Sequence, residues 1–555
     1  MKAPLDPVTL ELIRCRLEAG AQQMASALWK SSYSTVIREM LDYSTAIFDA
    51  EGRMVAQSAQ LPFQMMTMSA PLENLQRRKF AWREGDVVLL NDPYDCEGQH
   101  LPDFMTFHPV FAGGKLLGFT GAIAHMIDVG GGAAGSYFAT ATEIFQEGLR
   151  IPPTRIVAEG RPSAELYELI GLNVREPEKT LGDLRAMIAC TSVGRTAVEE
   201  LVGRYGRHAI QTAMAEIQKG SERLLRQRIG ELPDGRYRAV DYVDDDGITN
   251  EPLRVKLELQ IRGGALTARF DGSSPQARGP VNATLAMTET TVNYAIMAAL
   301  GRGIPKNDGC RRVIRVEAPA GSVVNAQFPA PVVSRVTVCH RIVDVMLEAL
   351  AQVIPDRIMA GYYGVSNICN LGGRNALTNR PWVHFEIEVG GWGGRAGSDG
   401  LDGFSAHIHN VANTPVEMVE ANPQLRLERY ELIPGSGGRG KYRGGLGLRR
   451  DIRILGDNVT LSLLGDRSKF PPRGLVGGKH GQPGRYVLNP DTPTERVMPN
   501  KLSNFALKRG DVISMQTPGG GGYGHPHQRA RALVARDRRE GKDRAPAAGR
   551  KQKKR

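Results

Sequence analysis

The sequence predicts a mixed α/β or α+β fold with several subdomains, and its length and composition support that prediction. The 555 residues suggest about three or four domains at roughly 100–200 residues each. The 64 glycines and 33 prolines make up about 17% of the chain, which is too rich in helix breakers for a helical bundle. Because 41% of the residues are apolar and 23% are charged, most of the chain should fold.

The first two thirds of the chain mix helical and extended patterns. Asp6 and Pro7 are typical of a helix start, and apolar residues then recur every three or four positions, as on a buried helix face. These residues are Leu10, Ile13, Leu17, Ala21, Met24 and Leu28. Strands are predicted at Thr45–Phe48, Met54–Ala56, Asp86–Leu90 and Lys115–Ala124, with a hairpin over Val255–Phe270. Helices are predicted at 183–230, Thr288–Leu300 and Arg341–Val353.

Composition divides the chain into four regions. We expect an N-terminal α/β region (1–230), a central α+β region (231–430), a Gly-rich β region (431–527) and a tail (528–555). The Gly-rich region contains short predicted strands at Ile452–Ile454, Val459–Leu464 and Asp511–Met515. Residues 529–555 carry 12 Lys or Arg and 3 Asp or Glu, so +9 of the net charge of +12 lies there. The low apolar content of this segment predicts a disordered basic tail.

The sequence argues against several classes of protein. It has no run of about 18 apolar residues that would span a membrane, and no N-terminal apolar segment typical of a signal peptide. The six cysteines are scattered without a Cys-x-x-Cys pair, which indicates reduced thiols and a cytoplasmic protein. Aromatic residues do not interleave with the basic tail, which argues against nucleic-acid binding.

Possible metal ligands are densest between residues 91 and 131. Asp92 lies in an Asn-Asp-Pro-Tyr motif, His100 and Asp103 in His-Leu-Pro-Asp, and His125 and Asp128 in His-Met-Ile-Asp. Imidazole and carboxylate suit zinc or manganese, and three protein ligands would leave a position open for water or substrate. Hydrogen-bonded loop residues would explain the same spacing, so on spacing alone the metal site is a hypothesis.

Other motifs carry weaker signals. Gly435–Tyr442 nearly fits a phosphate-binding loop, but Tyr442 stands where that loop needs Ser or Thr, so we interpret the segment as tight turns. The glycines at 390–403 suit either plain turns or a close approach of the backbone to a ligand or another subunit. His407 and His409 alternate around an isoleucine, as on a half-buried strand, and are interpreted as structural.

Ordered motifs over most of the chain, from about Asp6 to Pro526, resemble the hydantoinase B family. That family includes the B subunits of N-methylhydantoinase and of ATP-dependent 5-oxoprolinase, and related subunits of acetone and acetophenone carboxylases. The motifs are Asp6–Glu11, Phe48–Gly52, Asn91–Tyr94, His100–Asp103, Phe145–Pro153, Leu181–Arg185, Ser274–Pro280, Asn307–Cys310 and Pro518–Gly524.

The resemblance implies one subunit of a hetero-oligomeric, ATP-dependent enzyme. An A-type partner of the actin-like kinase superfamily would bind ATP and phosphorylate a lactam or hydantoin, and the B subunit would hydrolyse the activated ring at a divalent metal. His100, Asp103 and His125 match the metal ligands of the carboxylase branch. Asp128 is our candidate for orienting a ligand or acting as general base, and Asp92 is a further candidate in the same neighbourhood.

Two residues depart from the family pattern. Met126 stands where many members have a second histidine, and Gln64 stands where another histidine is common. Neither a thioether nor an amide can shuttle protons as imidazole does. The departures leave open a different substrate or reaction, or a role of the two positions in packing alone. The alternative function is an ATP-dependent ketone carboxylase of the acetone or acetophenone type.

Overall fold

The computed structural model describes residues 5–64, 66–375 and 378–543. The α-helices of these residues are α1 (Pro7–Ser31), α2 (Thr35–Arg38), α3 (Ser69–Arg77), α4 (Ala164–Asn173), α5 (Pro177–Tyr205), α6 (Arg207–Gly230), α7 (Leu285–Leu300), α8 (Val336–Ala351), α9 (Val416–Glu420) and α10 (Arg531–Arg539). The strands of the first half are β1 (Tyr43–Asp49), β2 (Met54–Ala59), β3 (Val87–Leu90), β4 (Asp103–Ala112), β5 (Lys115–His125), β6 (Thr154–Ala158), β7 (Arg161–Pro162), β8 (Gly235–Val243), β9 (Leu253–Arg262) and β10 (Ala265–Arg269). Those of the second half are β11 (Ile314–Glu317), β12 (Asn367–Arg374), β13 (Pro381–Glu388), β14 (Leu425–Leu432), β15 (Leu448–Ile454), β16 (Val459–Leu464), β17 (Arg485–Leu488), β18 (Arg496–Met498), β19 (Lys501–Leu507) and β20 (Val512–Gln516).

The local predictions for the N-terminal region are confirmed. The Asp6 carboxylate accepts hydrogen bonds from the backbone N–H groups of Val8 and Thr9 and so caps α1. β1 and β2 form the predicted antiparallel hairpin. The helical segment predicted at 183–230 consists of two helices, α5 and α6, because Gly206 adopts a φ of 79° between them.

A seven-stranded antiparallel sheet, in the order β2-β1-β5-β4-β3-β6-β7, forms the centre of the N-terminal region. One face, with Ile47 and Phe104, packs in a core shared with α1 and α5. The other face, with Phe48 and Phe107, shares a core with α7 and α8. Because both faces are covered, β5 is buried along most of its length, as its apolar sequence predicted.

The remaining strands form three smaller sheets. The central sheet has the order β11-β10-β9-β8, and α8 packs on β8 and β9. The other two have the orders β13-β12-β16-β19 and β14-β15-β20-β17-β18. β12 and β13, which precede residue 430, pair into one sheet with β16 and β19, which follow it.

Four glycine-rich segments (390–400, 437–447, 474–481 and 519–522) cross one another with backbone packed directly against backbone. Gly520 donates to the carbonyl of Gly445 at 2.9 Å, and Gly394 donates to that of Gly521 at 2.8 Å. A methyl group on Gly520 would overlap the carbonyl group of Trp392. We call these segments the glycine bundle. The close approach of backbone suggested for residues 390–403 is therefore to the chain's own backbone, and Gly435–Tyr442 belongs to this packing.

One expectation from the sequence was wrong. His407 and His409 lie in an irregular segment that forms turns, not on a half-buried strand, and both are buried. At the start of the predicted tail, residues Arg531–Arg539 form α10, and Arg529 and Arg536 form ion pairs with Asp399 at 2.7 and 2.8 Å. Residues 544–555 of that predicted tail lie outside the described residues.

Within the described ranges, no helix combines the length and apolar character needed to cross a bilayer.

Candidate metal site

Two neighbouring strands place the first two candidate ligands side by side. Asp103 is the first residue of β4 and His125 is the last residue of β5, and the two residues are directly opposed partners in the antiparallel pair. Opposed residues on adjacent strands project to the same face of a sheet. Neighbours at positions 105 and 123 belong to the core shared with α7 and α8, so this is the face on which the site lies.

A tight turn brings the third candidate ligand to the same place. The N–H of Asp103 donates to the carbonyl of His100 at 3.0 Å, which folds the His-Leu-Pro-Asp segment back on itself. The Asn91 side chain fixes this turn by donating to the carbonyl of Leu101 at 2.7 Å. As a result, ligand atoms of His100, Asp103 and His125 all lie within 4.8 Å of one another, and all three residues are buried.

The free polar atoms of this cluster fit a divalent cation. Nδ1 of His125, Oδ1 of Asp103 and both ring nitrogens of His100 have no hydrogen-bond partner among the described residues. Nε2 of His100 lies 3.3 Å from the second carboxylate oxygen of Asp103. Unpartnered buried polar atoms cost free energy, and two imidazoles with one carboxylate form a donor set that zinc and manganese accept.

Burial sets the charge state of the ligands. It lowers the pKa of His100 to about 4 and that of His125 to about 3, so both imidazoles are neutral at pH 7. Burial alone would raise the pKa of the Asp103 carboxyl, but its contacts with His100 and Arg335 hold that pKa below its usual range. Neutral imidazole and ionised carboxylate are the forms that bind a metal.

Four further side chains surround the cluster. Nη2 of Arg335, at the start of α8, donates to Asp103 at 2.6 Å and to Oε1 of Gln99 at 2.5 Å. The hydroxyl of Tyr137 lies 3.2 Å from Nε2 of His125, which leaves Nδ1 of that ring free. The ring of Phe385 stacks on that of His125 with centroids 4.9 Å apart. Sequence reasoning missed Arg335 and Phe385 because they lie far along the chain from the cluster. It also missed Gln99 and Tyr137, although both lie close to the ligands in sequence.

The structure places Asp128 and Asp92 in hydrogen bonds that engage their carboxylates. Asp128 accepts from the N–H groups of Gly130, Gly135 and Arg175 at 2.8–3.0 Å and from the Arg175 guanidinium at 3.0 Å. Asp92 accepts from Nε of Arg150 at 2.6 Å. Neither carboxylate belongs to the ligand cluster. Their catalytic roles stay predictions, and these contacts favour a role in holding loops for Asp128.

The two departures from the family pattern have different surroundings. Met126 is buried in the core shared with α1 and α5, together with Leu101 and Phe104, so its side chain packs away from the cluster. Gln64 donates to Oδ1 of Asp42 at 2.8 Å. Burial raises the pKa of Asp42 well above its usual value, and the Asp103 charge adds to that rise. Gln64 thus contacts a second buried carboxyl that sequence reasoning did not identify.

Comparison with known proteins assigns the family. The family model described as "Hydantoinase B/oxoprolinase" matches residues 6–526. The chain therefore belongs to the hydantoinase B/oxoprolinase family, as its motifs indicated.

Relatives with named activities are enzymes or enzyme subunits. The chain is 30% identical to the caprolactamase subunit beta of Pseudomonas jessenii, covering 97% of this chain and 94% of the relative. It is also 30% identical to the 5-oxoprolinase of Dictyostelium discoideum, but it spans only 40% of that longer protein. We therefore class the chain as an enzyme subunit.

Two solved structures share the fold. The crystal structure of the ATP-dependent caprolactamase from Pseudomonas jessenii matches with a TM-score of 0.91 at 28% identity, over 97% of this chain and 94% of that one. An acetone carboxylase matches with a TM-score of 0.88 at 21% identity, over 97% of this chain and 78% of that one. The second likeness shows a common fold.

Proposed function

We propose that this chain is the metal-bearing B subunit of an ATP-dependent cyclic-amide hydrolase, which opens a lactam or hydantoin ring. The observation that carries the proposal is the buried convergence of His100, Asp103 and His125 in a member of this family. The likeness to a caprolactamase subunit supports a cyclic amide as the substrate. ATP would be bound by an A-type partner subunit.

The reaction requires activation because amide nitrogen donates electrons into the carbonyl group. In the proposed reaction the partner transfers the γ-phosphoryl group of ATP to the amide oxygen, which turns that oxygen into a leaving group. Ring opening then breaks the C–N bond, and one water supplies the new carboxyl oxygen while the nitrogen gains a proton. A second water is consumed as phosphate is released, so the net products are ADP, inorganic phosphate and the opened ring, which is an amino acid from a lactam and an N-carbamoyl amino acid from a hydantoin.

His100, Asp103 and His125 would hold a divalent ion such as zinc or manganese. When bound, this ion would supply Lewis acidity to the reaction. The surrounding residues have separate tasks: Arg335 fixes the Asp103 carboxylate, and Tyr137 fixes the ring of His125. Phe385 covers the cluster and excludes bulk water, which would otherwise destroy a phosphorylated intermediate.

The test is co-expression with the cognate A-type subunit, followed by assays of ATP turnover over lactams, hydantoins and ketones. We expect ADP to form together with a ring-opened product from a lactam or hydantoin, at a rate independent of bicarbonate. A new carboxylate that forms from a ketone only when bicarbonate is present would refute hydrolysis and establish the carboxylase alternative.

A further inference from the structure

Arg335 has more hydrogen-bond donors than its visible partners use. Its side chain is 1% exposed, and only Nη2 donates, to Asp103 and Gln99. Nε and Nη1 have no hydrogen-bond partner among the described residues. Other buried arginines in the described ranges, such as Arg341, Arg450 and Arg467, leave only Nε without a partner. Arg335 is the one described arginine with a buried terminal nitrogen that makes no hydrogen bond of ordinary geometry, although its guanidinium also interacts with the Tyr137 hydroxyl.

Gln99 adds a further free donor at the same place. Its Oε1 accepts from Arg335, while its Nε2 is buried and has no partner among the described residues. Burying such donors without an acceptor costs free energy. Neutralising Asp103 requires only one nitrogen of Arg335, so the ion pair does not account for the free donors.

Contacts of its side chain and of the preceding backbone fix the position of Arg335. The guanidinium lies over the ring of Phe63, with its carbon 5.4 Å from the ring centroid. Oε1 of Glu147 accepts from the N–H groups of Val332 and Val333, each at 2.7 Å, which fixes the approach to α8. Because α8 begins at the next residue, the positive end of a 16-residue helix also faces this point.

We propose that Arg335 and Gln99 bind the phosphoryl oxygens of the activated substrate beside the metal ligands. Guanidinium and amide N–H groups are the donors that phosphate oxygens accept, and a buried guanidinium stays charged at all accessible pH values. Arg335 would then be a catalytic residue, since it contacts the group that leaves. The inference rests on the proposed function, because it takes the phosphoryl group from the ATP-dependent activation.

The test uses inorganic phosphate, which is a product of the proposed reaction, and the complex with its A-type partner. Phosphate binding is measured by calorimetry, and metal content by elemental analysis, in Arg335→Lys and Gln99→Glu variants. We expect both changes to weaken phosphate binding at least about tenfold while metal content and melting temperature are retained. Gln99→Glu keeps the Arg335–Asp103 ion pair, so it remains informative if the arginine variant misfolds.

Arg450→Lys is the matched control. Arg450 is equally buried and lies between two carboxylates, Glu386 and Glu388, but outside the metal cluster, so its replacement should leave phosphate affinity unchanged. Wild-type phosphate affinity in both test variants would overturn the inference, and ring opening at normal rates in those variants would do so while leaving the proposed function intact. Phosphate binding that the variants lose, in a complex that opens no ring, would support the anion site and reject the proposed substrate.

Discussion

At the scale of single residues, one turn and one strand pair bring the three candidate metal ligands together. His100 reaches Asp103 because the chain folds back between them, and Asp103 reaches His125 because the two are cross-strand partners. All three side chains are shielded from water, and their free ligand atoms converge. The arrangement fits the donor set of a divalent cation, so the metal content of the purified protein is the first property to measure.

Removing both imidazoles should abolish metal binding. We expect a His100→Ala, His125→Ala double variant to contain no stoichiometric zinc or manganese by elemental analysis, because one carboxylate alone holds such ions weakly. His108→Ala is the matched control, since His108 is a buried histidine on the same strand as Asp103 but outside the cluster. Full metal content in the double variant would refute the proposed site.

His108 itself should make folding sensitive to pH. Burial lowers the pKa of His108 to about 4, below the ordinary 6.5. As the pH falls below 6.5, this side chain therefore binds a proton in the unfolded chain but not in the folded protein. Between pH 7.5 and pH 5 this histidine should therefore cost about 2 kcal/mol of stability.

The measurement compares urea unfolding of the wild type with that of His108→Gln at both pH values. The free energy of unfolding of the wild type should fall more steeply than that of the variant. The same comparison with exposed His208→Gln should show no difference. Parallel pH profiles for wild type and His108→Gln would contradict the prediction.

At the scale of elements, the loop from Asp128 to Tyr137 connects the hydrogen-bonded Asp128 carboxylate with the candidate metal site. Four donors hold the Asp128 carboxylate, and two of them belong to Gly130 and Gly135 of the loop itself. The loop ends at Tyr137, whose hydroxyl contacts His125. Asp128 is thus connected to the site through backbone, which suits an orienting role.

Replacing Asp128 tests whether its carboxylate orients the loop or transfers protons as a general base. We expect Asp128→Asn to lower the free energy of unfolding by about 2–4 kcal/mol, because a buried ion pair and several charge-assisted hydrogen bonds are lost. Activity of the complex should fall together with stability. Lost activity at an unchanged urea midpoint would instead identify Asp128 as the general base.

The elements were more predictable from sequence than the site was. The α1 cap, the β1–β2 hairpin and the buried strand β5 follow from local patterns that need no distant partner. His100, Asp103 and His125 were within reach because they lie close in sequence. Arg335 and Phe385 were not, since nothing local indicates that α8 and β13 meet the end of β5.

At the scale of the whole molecule, the glycine bundle joins segments that composition alone assigned to different regions. Its backbones touch because no side chain separates them, and the glycine excess of the sequence has its physical reason here. The fold of the second half therefore requires glycine, with no side-chain carbon, at many of these positions.

Adding a single methyl group to one glycine of the bundle tests this requirement. Gly520→Ala should prevent folding or lower stability by more than about 4 kcal/mol, because the new methyl would overlap the carbonyl of Trp392. Gly220→Ala is the control, since that position in α6 has open space and alanine favours helix by about 0.5–1 kcal/mol. Both are measured by thermal melting. A normal melting temperature for Gly520→Ala would show that the surrounding backbone can shift to accommodate the methyl group.

The glycine bundle also determines which parts of the chain can complete their folding first during synthesis. Residues 519–522 lie among segments that leave the ribosome more than a hundred residues earlier, such as the one around Trp392. Those earlier segments lack some of their backbone partners until residue 522 has emerged, because Gly391 donates to the carbonyl of Pro518 and Gly394 to that of Gly521. Nascent chains halted before that point should therefore bind chaperones, whereas the seven-stranded sheet of the N-terminal region has by then all of its strands.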